Sequence, residues 1–342
     1  MACSQEFTNN IKFLAAKFGA NEVSVTNASP FDDIYQVIQN RKEKGYAGNM
    51  AFTYKNPYRS THLEETLPGV QSLVVCIVSY AHLSEDAPDR PYARVAQYAS
   101  ADAREKMQKV LQEVKLSLNA AGWKSMVFFD DNSLVDRAAA MRAGLGFYGK
   151  NSLIINRKWG STVLIGSVAT TAPLRIDEHQ ELNDSINGCG ACTLCIPACP
   201  TGAIVEPGAI DASKCLSWIL QSPEYISLEY RKAIGNRIYG CDECQDVCPH
   251  NKIQQRRANY SDQSKSYRDL ETLLSASDEK VLEMAGEWYV YKRDPRYIRR
   301  NALIVAGNVL KNESHVWAQV EKWSKSDDKM LAEYASWALS QK

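Results

Sequence analysis

Apolar positions Phe7, Ile11, Leu14, Ala15 and Phe18 recur at helical spacing and predict an amphipathic helix from about Gln5 to Gly19, with Asn10 and Lys12 on its wet side. A second helix is expected over Pro30 to Lys44. Gly45 to Tyr58 then reads as a glycine-containing aromatic loop that ends in Arg59. The continuous run from Leu73 to Tyr80 is rich in branched residues and has the length of a buried strand, with Cys76 as a small core residue. Met107, Val110, Leu111, Val114 and Leu118 line one face of a helix between Asp102 and Ala121 that stops at Gly122. A strand over Met126 to Phe129 and a turn over Asp130 to Ser133 follow. Strand, helix and strand in this order are the grammar of an α/β sheet, where ligands collect near strand ends.

Further on, strands are expected over Ser152 to Ile155 and Ser161 to Thr170, the second ending at Pro173. Ile176 to Asn187 is a hydrophilic link. Ala209 to Leu220 reads as a helix that brings in Cys215 and Ser217 and is broken by Pro223. Arg231, Lys232 and Arg237 lie close before the next cysteines. Beyond Asn251, the stripes Ala302, Leu303, Val305, Ala306, Val309, Leu310 and Met330, Leu331, Tyr334, Ala335, Leu339 predict helical hairpins.

The cysteines change this picture most. Cys189, Cys192, Cys195 and Cys199-Pro200 form a C-x₂-C-x₂-C-x₃-C-P run, the spacing that holds iron–sulfur cubanes in two-cluster ferredoxins. Cys241, Cys244 and Cys248-Pro249 form a second, incomplete copy, and Cys215 lies between them. Three cysteines spaced by two residues wrap one cubane, while the fourth points toward the other. That assigns Cys189, Cys192, Cys195 and Cys248 to one cluster and Cys199, Cys215, Cys241 and Cys244 to the other. Disulfides would require an oxidising compartment, and no secretory signal is expected in the first thirty residues. Paired C-x₂-C motifs also serve zinc, but the Cys-Pro ends and the third cysteine of each run argue against it. Cys3 reads as a stray thiol at a loose terminus.

At 342 residues the chain is long enough for two or three domains. Forty basic residues balance forty acidic ones, so no global field recruits nucleic acid or an anionic membrane. No apolar stretch approaches spanning length. The expected setting is a reducing cytoplasm. One block stands out, Leu134 to Ser152, with Asp136, Arg137 and Arg142 on a short helix and glycines that bring the backbone close at Gly144 to Gly149. These glycines match neither the dinucleotide fingerprint nor the phosphate-binding P-loop. Asp136 is open to two accounts, an ion pair with a neighbouring arginine or a proton donor beside a bound cofactor.

Taken together, LVDRAAAMRAGLGFYGKNS, CGACTLCIPACPTGAI and AIGNRIYGCDECQDVCPHN, with RRNAL in the tail, resemble the cobalamin-dependent epoxyqueuosine reductases over nearly the whole chain. The resemblance implies an α/β cobalamin-binding domain at 1–175, a ferredoxin-like double [4Fe-4S] domain at 176–251 and an α-helical HEAT-like repeat at 252–342. It implies reduction of epoxyqueuosine to queuosine at the tRNA wobble position, using cob(II)alamin reduced through two [4Fe-4S] clusters, with Asp136 as proton donor. That role requires a raised carboxyl pKa. Arg59, Asp136, Ser217, Cys241 and Asp242 match cofactor-contacting positions, and Lys150 and Asn151 are expected in the same pocket. Arg296, Arg299 and Arg300 are candidates for holding the tRNA backbone.

An external donor of flavodoxin or ferredoxin type, a monomeric state and no membrane complete the expectation. The chain departs from the family after Tyr98, where it reads Ala99-Ser-Ala-Asp102-Ala-Arg104-Glu105 in place of Asp-Tyr-His, and after Cys215, where Leu-Ser-Trp-Ile-Leu-Gln replaces Ser-Tyr-Leu-Thr. The alternatives are a corrinoid reductive dehalogenase-like enzyme, whose usual twin-arginine signal is missing here, and a ferredoxin-type electron carrier. The carrier leaves the N-terminal domain unexplained.

Overall fold

Strand β2 (Ser72–Ser79) sits inside the main sheet and is apolar along nearly its whole length because both of its faces are covered. Val74, Cys76 and Val78 point to one face, where helices Gln5–Lys17 and Ala103–Ala120 bury Ile11, Ala15, Met107, Leu111 and Val114. Leu73, Val75 and Ile77 point to the other, against Ile38 of helix Asp32–Glu43 and Ala138, Ala139 and Ala140 of helix Asp136–Arg142. The computed structural model describes residues 3–81, 87–100, 102–178, 187–255 and 266–342. Most of the expected link between Ile176 and Asn187, and Ala101 of the departing segment, lie outside them.

The other strands are β1 (Glu22–Asn27), β3 (Tyr92–Val95), β4 (Ser125–Phe128), β5 (Phe147–Tyr148), β6 (Ile154–Ile155) and β7 (Val163–Thr170). The main sheet runs β1-β2-β7-β4, and every neighbouring pair is antiparallel. The expected strand-helix-strand unit is therefore present in a split form. β2 and β4 are parallel to each other, helix Ala103–Ala120 crosses between them, and β7 occupies the gap. Gly166 of β7 lies where that helix comes closest, and a Cβ there would stand 2.6 Å from Leu111 and 2.8 Å from Met107. Cys3 is tied down, because its N–H donates to the carbonyl of Pro173 at 2.8 Å.

Strands β8 (Ile204–Glu206) and β9 (Ala209–Ile210) form a small hairpin in the cysteine-rich part, while β10 (Arg237–Tyr239) and β11 (Tyr267–Asp269) flank β3. The order β10-β3-β11 draws one strand from each of the three expected segments, so they share backbone hydrogen bonds. The expected helix over Ala209 to Leu220 shrinks to one turn, Leu216–Ile219. Cys215 is extended at its N-cap, and Asp211 folds the preceding residues into a turn by accepting from Ser213.

Helices Arg296–Val309, Ser314–Ser324 and Lys329–Leu339 pack together at the C-terminal end. Here the expectation for the basic run fails at Arg299 and Arg300. Arg300 is fully buried and donates to the carbonyls of Ser222 and Glu224, both at 2.9 Å, while its neighbour Asn301 donates to Leu220 and Ile238. Burial pushes the Arg300 guanidinium down to about 10. Arg299 is buried too, bound to the Ala276 carbonyl and Asp278, and Arg296 is engaged by Asp294 and Asp328. Arg299 and Arg300 fasten helices in place of facing a phosphate backbone. Among the described residues no helix is long and apolar enough to cross a membrane.

Candidate active site between the sheet and the cysteine runs

Asp136 is the first residue of its helix, held there by the turn that leaves β4. Ser133 N–H donates to Asp131 at 2.6 Å, Ser60 Oγ donates to the Asn132 carbonyl at 2.5 Å, and Val135 N–H donates to the Ser60 carbonyl at 3.1 Å. Asp136 opens onto a cavity of about 1100 Å³. Neither nearby arginine pairs with it. Arg137 donates to the Ser152 carbonyl at 2.6 Å, and Arg142 donates to Ser29 and Pro30 and lies over the Phe31 ring. The ion-pair account of Asp136 therefore does not hold among the described residues. Its carboxyl is pushed well above the usual range first by burial and then by the charge of Asp131, with Arg137 opposing and Asp130 adding a smaller push.

Another part of the lining belongs to the cysteine-rich part. Cys215, Ser217, Trp218 and Gln221 line it, together with Tyr98 and Tyr239. Gln221 Nε2 donates to the Ser217 carbonyl at 2.7 Å, and the Tyr239 hydroxyl donates to Gln221 Oε1 at 3.3 Å. Burial, then the neighbouring Tyr239, raises the Tyr98 phenol well above its ordinary value, so it stays a neutral donor.

A third wall, Glu283 to Tyr289, comes from the C-terminal part. Trp288 stacks on Tyr239 at 4.7 Å, and Phe52 meets Trp218 and Tyr289, each at 5.8 Å. Arg104 spans the rim, 2.5 Å from Asp130 and 2.9 Å from Glu287. It stands in the segment that departs from the family.

All ten cysteines are free of disulfides. Eight fall into two neighbouring groups. Cys195 is raised by burial and by the adjacent Cys189, Cys248 and Cys192; Cys244 is raised by burial and by Cys241, Cys215, Cys195 and Cys199. Cys195 appears beside both sets, so the groups are close. Among the described residues no group of three or more His, Cys, Asp or Glu side chains is placed to hold a single metal ion. Cys215 belongs to one group and also lines the cavity that Asp136 lines.

Several expected contacts fall elsewhere. Arg59 is exposed and donates to Thr66 at 3.2 Å; it, Cys241 and Asp242 are not among the described residues that line the cavity. Asp242 is buried behind the wall, accepting from Gln97 N–H at 2.9 Å, and burial pushes its carboxyl up to about 6. Lys150 and Asn151 also leave the pocket and face the cysteine loops instead. The reading of the sequence missed the wall at Glu283 to Tyr289 and Arg41, whereas Phe52 falls in the expected aromatic loop and Arg104 in the segment that departs from the family. The aromatic run after Gly286 was the one available signal.

The donor set and cavity fit the groups expected. Eight thiols in two adjoining groups suit two clusters. The cavity exceeds the ~300–1,000 Å³ of ordinary ligand pockets, and its mixture of aromatic, hydroxyl and amide groups suits a macrocycle with polar edges.

Comparison with known proteins agrees with this geometry. Residues 188–251 match the family described as 4Fe-4S double cluster binding domain. An epoxyqueuosine reductase of Staphylococcus aureus is 30% identical over 99% of this chain and 89% of its own length. The chain belongs to the epoxyqueuosine reductase family. A crystal structure of epoxyqueuosine reductase with an epoxyqueuosine-modified tRNA-Tyr stem loop superposes with a TM-score of 0.87 at 27% identity, covering 98% of this chain and 90% of that one. A Bacillus subtilis epoxyqueuosine reductase, described with its aspartate-bearing catalytic loop swung out of the active site, gives 0.82 at 25% identity, over 98% and 90%. Membership of an oxidoreductase family decides against a plain electron carrier, and two 4Fe-4S clusters follow from the matched domain.

Proposed function

We propose that this chain reduces epoxyqueuosine to queuosine at the wobble position of tRNA, with Asp136 as proton donor. The observation that carries the reading is that Asp136 and Cys215 line one cavity. Asp136, Ser217, Trp218, Gln221 and Tyr98 would hold cobalamin, which when bound supplies a low-valent cobalt nucleophile able to open a strained ring. The residues of the chain do the rest. Asp136 keeps its proton near neutrality because its ionised form is poorly solvated and faces two other carboxylates, and it delivers that proton to the oxygen leaving the epoxide. Tyr98 and Tyr239 offer neutral hydroxyls, and the stacked Trp288 and Phe52 exclude water at the rim.

In this reading, Cys189, Cys192, Cys195 and Cys248 hold an outer cluster, and Cys199, Cys215, Cys241 and Cys244 hold an inner one. Electrons enter from a flavodoxin- or ferredoxin-type carrier and move inward. Residues 1–175, 176–251 and 252–342 act as the cofactor, cluster and HEAT-like tRNA-contact segments. The related structure holding a modified tRNA stem loop supports the substrate, and the aspartate-bearing catalytic loop of the Bacillus subtilis relative supports Asp136. The test is nucleoside analysis of tRNA from a host that lacks its own reductase. Expression of this chain should replace accumulated epoxyqueuosine by queuosine; persistent epoxyqueuosine, with the protein expressed and its clusters loaded, would contradict the assignment.

A further inference from the structure

Lys150 leaves the β5–β6 turn and reaches across to the first cysteine run. Its Nζ donates to the carbonyl of Gly190 at 2.7 Å and to that of Cys192 at 3.0 Å, both inside the Cys189–Cys195 wrap. The reach is fixed at its base, because the Lys150 carbonyl accepts from Gly208 N–H at 2.9 Å and Asn151 contacts the Cys244 carbonyl at 3.5 Å. It is also fixed at its target. Gly188 lies flush against Phe147 of β5, where a Cβ would stand 2.3 Å from the ring. Among the described residues the Gly190 and Cys192 carbonyls are the hydrogen-bond partners of the Lys150 ammonium.

We propose that Lys150 is a positioning residue that sets the reduction potential of the outer cluster. The inference rests on the two-cluster reading above. Adding an electron to a thiolate-bound cluster adds negative charge, and a fixed cation a few ångströms beyond the ligand loop stabilises that reduced state. Lys150 therefore makes the outer cluster a better acceptor from an external one-electron carrier than its ligands alone would.

The test is a redox titration of anaerobically reconstituted protein, followed by electron paramagnetic resonance, with iron and sulfide content measured on each sample. Lys150→Met should lower the ratio of reduced to oxidised outer cluster at a given potential on the order of tenfold, which is ~59 mV for a one-electron couple. Lys150→Arg should keep the wild-type midpoint. Unchanged midpoints in a fully loaded Lys150→Met protein would overturn the proposal. If Lys150→Met fails to hold iron, Lys150→Gln keeps a donor for the two carbonyls without the charge and takes its place in the same comparison. Iron loss from both neutral variants, with Lys150→Arg loaded, would overturn the proposal in favour of a clasp. Wild-type protein that takes up no iron and sulfide would overturn the two-cluster reading itself, and the inference with it.

Discussion

Asn251 accepts from the backbone N–H of Ser161 at 2.7 Å and returns a bond from its own amide to the Ser161 hydroxyl at 3.0 Å. Ser161 lies just before β7, and Asn251 follows the last cysteine, so the pair fixes the second cysteine run to the central strand of the main sheet. Gln245 joins the same buried cluster through Ser161 and Tyr80. Replacing Asn251 with Leu strands the buried Ser161 N–H and removes one of the bonds to the Gln245 carbonyl, which keeps that from Cys248 N–H, and should cost about 1–3 kcal/mol. Urea unfolding of reconstituted protein checks this.

Asp136 should dominate the pH dependence. The proton donor is active while protonated, so turnover should fall as pH rises through its raised pKa. Asp131→Asn removes a negative neighbour, lowers that pKa and should move the alkaline limb to lower pH. Arg137→Gln removes the opposing cation and should move it to higher pH. Single-turnover rates across pH check both directions.

The same shift has a sign for stability. The folded state holds the Asp136 proton at pH values where the unfolded chain, with an aspartate pKa of about 3.9, has lost it. Stability should therefore decline as pH rises from that value through the folded pKa, and Asp136→Asn should flatten the decline. Urea midpoints measured across that range for both proteins decide the point.

The two kinds of basic residue in the tail should separate cleanly. Arg300→Ala removes the bonds to the Ser222, Glu224 and Ile219 carbonyls and should cost about 3 kcal/mol, with little change in tRNA affinity per folded molecule. Lys292 is exposed close after the cavity wall at Glu283 to Tyr289. Lys292→Ala should weaken tRNA binding and reduce the salt slope by about one. Binding isotherms at several salt concentrations check it.

What could be read from the sequence follows from range. β2 was legible because a strand covered on both faces is a continuous apolar run, whereas β1 hid because buried Ser24 and Thr26 interrupt its apolar positions. Cysteine spacing encodes cluster geometry locally, so the two runs stood out. The insertion of β7 between β2 and β4, the third cavity wall and the inward turn of Arg300 depend on partners far along the chain. The glycine-rich block places Lys150 at the pocket by sequence, but its side chain leaves the cavity for the carbonyls of Gly190 and Cys192.

The most direct measurement is single-turnover reduction of an epoxyqueuosine-containing tRNA stem loop by protein loaded anaerobically with cobalamin, iron and sulfide and reduced by dithionite. Wild-type protein should convert the nucleoside to queuosine, and Asp136→Asn should lose at least about 10²-fold in rate while retaining the cluster and cobalamin absorption bands. Wild-type turnover in the loaded Asp136→Asn protein would contradict the account.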